Sequence, residues 1–134
     1  MNAALALQQA MRSALLANTT LTALLGGAHI FDEVPRGEPG LYVVFGSIET
    51  RDWSTSTQKA HEHFITLDVV TNERSRARAQ AICNAIETAL DNAALVLTDH
   101  RLINLRSTFW NVGKAKATNN FNATLRFRAA TEPL

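Results

Sequence analysis

The sequence predicts an α+β domain: an antiparallel β-sheet with two main α-helices packed on one face, plus a short N-terminal helix and a long β-hairpin. Three observations predict it. Apolar residues recur at three- and four-residue steps in two long segments, the signature of amphipathic helices. Near the C-terminus they recur at every second residue, the signature of half-buried strands. Helical segments also interleave with pairs of one-sided strands, which fits an antiparallel sheet with one apolar and one wet face.

In chain order, Ala4, Leu7, Met11, Ala14 and Leu15 place a helix over residues 3–17. Asn18, Thr19 and Thr20 offer cap oxygens to a short helix carrying Leu21, Leu24 and Leu25, and Gly26-Gly27 ends it. A short extended run over 29–34 stops at Pro35, and Gly37-Glu38-Pro39-Gly40 is turn chemistry. Residues 41–52 and 60–71 are rich in β-branched and aromatic side chains and flank a polar stretch from Trp53 to Lys59, which predicts the long hairpin.

Asn72 is the expected N-cap of a helix over 73–90, with Ala79, Ile82, Cys83, Ile86, Ala89 and Leu90 as its apolar stripe. Residues 101–112 and 119–129 make a second strand pair. In the last strand Phe121, Ala123, Leu125, Phe127 and Ala129 alternate with polar neighbours. Ile103, Leu105 and Phe109 are expected to form the matching apolar side of its partner.

A chain of 134 residues with 46% hydrophobic content fits a single domain, 1–134. Such a chain buries roughly two-thirds of its unfolded surface and needs no disulfide or metal to hold a core. The lone Cys83 excludes an internal disulfide and suits a reducing compartment such as cytoplasm. Gln8, Gln9 and Arg12 interrupt the longest apolar stretch, so neither a membrane span nor a signal peptide is expected.

No constellation points to catalysis. His61 and His63 share one face of a strand and could begin a metal site, but no third ligand has telling spacing; satisfied, partly buried imidazoles are the simpler reading. Ser54, Thr55, Ser56 and Thr57 lie outside any nucleophile elbow, and Cys83 falls on an apolar stripe. No glycine-rich phosphate loop follows a strand. The expectation is a non-enzyme without catalytic, cofactor or metal residues.

Charge placement carries more information. Arg101, Arg106, Lys114, Lys116, Arg126 and Arg128 lie in a stretch without one Asp or Glu, whereas residues 31–68 hold seven acidic groups against three basic ones. Such polarity could be a solvated face, a protein interface steered by complementary charge, or a phosphate-binding surface. With Trp110 expected as the only aromatic on the polar side of the last strand pair, a base-stacking platform is not evident.

The segments His29-Ile-Phe-Asp-Glu-Val-Pro35, Arg51-Asp-Trp-Ser-Thr55, His100-Arg-Leu-Ile-Asn-Leu-Arg106 and Leu125-Arg-Phe-Arg-Ala-Ala-Thr-Glu132, in this order, resemble the tail terminator, or tail-completion, family of long-tailed bacteriophages and gene-transfer agents. The resemblance spans nearly the whole chain. It implies a structural virion protein at the head-proximal end of the tail, made in the bacterial host cytoplasm. There a homohexameric ring would cap the tube, stop its polymerisation and receive the head. The implied partners are further copies of this chain, the major tail tube protein and a neck or head-completion protein, with DNA passing through the lumen without sequence-specific binding.

On this resemblance Arg51, Asp52, Trp53, Arg106, Arg126 and Arg128 are the candidate interface residues. Trp53 stands in a polar loop, residues 51–60, expected either to be mobile until it docks on the tube or to fold its ring back onto its own sheet and staple the hairpin. Two alternatives remain on the residues alone: a neck or head-completion connector subunit, and a small nucleic-acid-binding module using the basic strand pair.

Overall fold

In the computed structural model, which describes Met1 to Leu134, two asparagines start the helical lobe. Asn2 sits in extended backbone, and its side-chain oxygen accepts from the Leu5 N–H at 2.8 Å, opening α1 (Ala3–Leu16). Asn18 does the same for the Leu21 N–H at 2.9 Å, opening α2 (Thr19–Leu25). Each cap satisfies a donor that the helix itself leaves orphaned. Gly26, at φ 79°, closes α2, and the Gly27 N–H reaches back to the Thr22 carbonyl at 2.9 Å. Asn18→Ala is expected to cost about 1 kcal/mol, read as a lower urea midpoint with an unchanged slope.

The remaining elements are β1 (Ile30–Phe31), β2 (Tyr42–Asp52), β3 (His61–Val70), α3 (Arg76–Leu90), β4 (Val96–Leu97), β5 (His100–Lys114) and β6 (Phe121–Pro133). The six strands form one sheet in the order β1-β2-β3-β6-β5-β4. Antiparallel pairing runs from Tyr42↔Val70 to Asp52↔His61 between β2 and β3, and from His61↔Thr131 to Val70↔Asn122 between β3 and β6. The sheet is mixed rather than wholly antiparallel, because β1 lies parallel to β2 with Ile30 beside Val43. No helix makes this crossover; the turn-rich segment 32–41 does.

Three further departures from the sequence reading have identifiable causes. α3 begins at Arg76, not at residue 73, and its N-cap is Ser75, without a side-chain cap bond. The Glu73 carbonyl already accepts from the Phe121 N–H at 3.1 Å, and the Thr71 hydroxyl donates to the Phe121 carbonyl, so residues 71–73 are held to β6 and cannot enter a helix. β4, two residues long, carries no periodic signal at all. The inner and outer sides of β5 differ from strict alternation because register shifts fall between Leu102 and Asn104 and again between Ser107 and Phe109. Each extra residue reverses the facing of the side chains beyond it. Leu105 remains buried, but Ile103 and Phe109 are each 44% exposed, and Trp110 and Val112 take the inward side.

One core gathers Leu7, Met11 and Leu15 of α1, Leu21 and Leu25 of α2, and Ile82, Cys83, Ile86 and Leu90 of α3 with Val43, Ile65, Leu67, Val69, Leu125 and Phe127 of the sheet. Nearly all of these are fully buried, and at roughly 1.5–3 kcal/mol per large side chain they are the main favourable term in folding. No helix is long and apolar enough to cross a membrane.

Candidate protein interface

Opposite the core, alternation in the four long strands turns Arg51 of β2, Glu62, Phe64 and Thr66 of β3, Arg126 and Arg128 of β6, and Arg106 and Phe109 of β5 to one polar face. Its arginines are held in place. Arg51 lies 5.2 Å from the Phe64 ring centroid, Arg126 lies 5.2 Å from that of Phe109, and Arg128 lies 5.1 Å from that of Trp53. Each is a cation on the negative face of an aromatic ring.

Arg128 is the most connected group on this face. Its guanidinium donates to Glu62 at 2.8 Å and to the Asn104 side-chain oxygen at 3.1 Å, so β6 is tied to strands on both sides of it. Arg106 stands directly across from Arg128 in the β5–β6 register, a like-charge pair. Asp91, at the end of α3, draws Arg106 away with a contact of 3.4 Å. Arg101 donates to Glu132 through two nitrogens. Half of the six basic groups in the acid-free stretch thus carry a carboxylate partner supplied from outside that stretch.

The loop between β2 and β3 folds back over the same end of the sheet. Asp52 accepts from the Ser54 N–H at 3.1 Å, and hydrogen bonding by the Ser54 side chain first, then by its N–H, lowers the carboxyl pKa from the ordinary value. The Ala60 N–H donates to the Ser54 hydroxyl at 3.0 Å, and the Gln58 side-chain amide donates to Glu132 at 2.5 Å. Rather than a contact-free loop awaiting a partner, residues 53–60 form a strap pinned to the end of β6. Trp53 keeps 45% of its surface exposed and, with Ile103, Gln58 and Glu132, lines a cavity of about 530 Å³.

Arg51, Arg126 and Arg128 therefore share the wet face with the Trp53 ring beside them, whereas Asp52, across from His61, belongs to the opposite face as a turn former, and Arg106 bends from the wet face around the sheet edge to Asp91. The sequence reading missed Phe109, which replaces Trp110 as the outward aromatic of β5, and the partners Glu62, Asp91 and Glu132. Phe109 was hidden by the second register shift. The carboxylates were hidden by distance along the chain.

The histidine pair is arranged as structure. His63 is fully buried, with Nδ1 3.0 Å from the Thr50 hydroxyl and Nε2 2.8 Å from the Thr131 hydroxyl, so both ring nitrogens are occupied. Burial first, then the nearby His61 and His100 charges, push its pKa down to about 4. No group of three His, Cys, Asp or Glu side chains that could hold a metal is gathered anywhere in the fold. Cys83 is buried in α3, and burial followed by the Glu87 charge pushes its thiol up to about 12, far from the thiolate form.

A family model described as tail completion protein gp17 matches residues 9–132. Among solved structures, the chain is similar to one from "Virion of native gene transfer agent (GTA) particle", with a TM-score of 0.89 and 32% identity over 98% of this chain and 99% of that one. No individually curated protein matches it in sequence. Fold and matches together define a structural tail protein of phage-like particles. Within that class, the chain belongs to the tail completion protein gp17 family.

Proposed function

We propose that this protein caps the head-proximal end of a phage-like tail tube as a hexameric ring, stops tube polymerisation and presents the surface that a neck or head-completion protein binds. The observation that carries this reading is the end-to-end likeness to a chain of a gene transfer agent virion, over 98% of this chain and 99% of that one. Its partners are then further copies of itself, the major tail tube protein and the neck. Assembly takes place in the host cytoplasm, and DNA passes through the lumen without sequence-specific binding. Carboxylate pairing of Arg101, Arg106 and Arg128 supports protein contacts over tight phosphate binding, which would retard that passage.

The candidate residues have distinct parts in this reading. Arg51, Arg106, Arg126 and Arg128 form the charged contact surface, Asp52 shapes the strap, and Trp53 offers the exposed indole to the tube. Electron microscopy of particles carrying the protein tests the ring directly: a sixfold ring at the head-proximal tail end supports it, and another order or another position overturns it.

Trp53→Ala separates docking from folding. The variant loses the stack on Arg128, which costs about 1 kcal/mol in the isolated chain. In a complementation assay it is expected to yield overlong or headless tails while the isolated chain stays folded. Normal capping despite the stability loss would confine Trp53 to bracing its own sheet.

A further inference from the structure

Every backbone group along an outer strand of this sheet needs a partner or water, and the fold covers its two outer edges only in part. On the β2 side, β1 pairs with Val43 and Val44, and the Val43 N–H donates to the His29 carbonyl at 2.9 Å. Nothing pairs with the outer edge of β2 over residues 46–52. On the β5 side, β4 covers His100 and Arg101. The turn after α3 covers the next stretch: the Asn92 N–H donates to the Leu105 carbonyl at 2.8 Å, and the Ser107 N–H donates to Asp91 at 2.9 Å. The outer edge of β5 is then open over residues 109–114.

We propose that these two open segments pair with each other between copies, residues 46–52 of β2 joining residues 109–114 of β5 in the next subunit as an antiparallel strand joint. This inference rests on the ring reading above and names the edges that close it.

Four features favour a second copy as the occupant. The chain of antiparallel pairings leaves β2 and β5 running in opposite directions, so a copy rotated about an axis inclined to the strands meets its neighbour in the antiparallel sense. The open segments lie at opposite ends of the strands, since 48–52 flank residues 61–65 of β3 while 109–114 flank residues 121–126 of β6. A sheet that closes into a cylinder requires tilted strands and a staggered register, and this offset supplies a stagger at each joint. Ile48, Trp110 and Val112 stand half-covered against the core at these edges, and the joint would finish covering them. With the segments aligned end to end, the joint sets no like charges opposite one another, since Lys114 of one copy meets Gly46 and Ser47 of the other. Because the joined edges differ, the contact is heterologous and closes when the rotation per copy divides the circle.

Hydrogen exchange read by mass spectrometry tests the joint, comparing the protein in purified particles with the isolated chain at a dilution where it is monomeric. Amides in both 46–52 and 109–114 are expected to exchange about tenfold more slowly, or slower still, in the particle. Slowing in only one segment, in neither, or confined to the helices overturns the joint. A sixfold ring without this protection removes the edge pairing and leaves the ring; protection of both edges in an assembly that is not a sixfold ring removes the ring and leaves the pairing. Val112→Lys and Ile48→Lys supply the second readout. Each is expected to abolish assembly alone while the isolated chain keeps its unfolding cooperativity, and the mixture is expected to stop at a dimer through its one intact joint.

Discussion

Acidification from about pH 7 to about pH 4 is expected to remove on the order of 3 kcal/mol of stability through His63 alone. The imidazole is fully buried between the Thr50 and Thr131 hydroxyls, and its pKa falls from 6.5 to about 4 in the folded chain. A depressed histidine favours the folded state above its unfolded pKa, where both states are neutral. As pH falls below about 6.5 the unfolded chain takes up the proton and the folded one does not, so stability is lost down to about 4. Urea titrations across this range should show the decline. Carboxylates that are paired in the fold contribute their own acid loss, so the comparison with His63→Gln isolates the imidazole. The variant should lose markedly less between the two ends, and an equal loss would remove the assignment.

Arg128→Ala is expected to destabilise the chain by about 2–3 kcal/mol, between the value of an exposed ion pair and that of a buried one. Arg128 and Glu62 are about one-quarter and one-fifth exposed, so the carboxylate left behind is only partly returned to water. The same change also releases Asn104 and the Trp53 ring. Glu62→Ala should cost less, because Arg128 keeps its contacts with Asn104 and Trp53. A double-mutant cycle between the two measures their coupling, and a coupling near zero would show that the pair is set by solvent rather than by the fold.

Much of this architecture is legible in the sequence where a period is sustained. α1 and the body of α3 follow from their apolar stripes, and β6 follows from five alternating residues from Phe121 to Ala129. Legibility ends where tertiary bonds override local pattern. The Phe121 N–H takes the Glu73 carbonyl and delays α3, and two extra residues in β5 move Ile103 and Phe109 to the outside. β1 and β4 are too short to have a period. At the interface, the charge runs were visible, but the bond from Arg128 to Glu62 spans 66 positions and depends on β3 and β6 being neighbours. Sequence order places those strands far apart; only the sheet order joins them.

The position of β6 has a consequence for how the chain is made. It is the last of the nine elements to leave the ribosome, yet it lies between β3 and β5 and is the one strand that joins the two halves of the sheet. While it is still inside the exit tunnel, the β2–β3 pair and β5 have no common backbone bond. The long-range pairings that unite them carry a large loop-closure cost and form late. Folding is therefore expected to be completed only after synthesis of the segment 121–133, in a single closing step. Until that step the two open edges belong to separate halves of the sheet, and their relative direction and offset are not yet fixed.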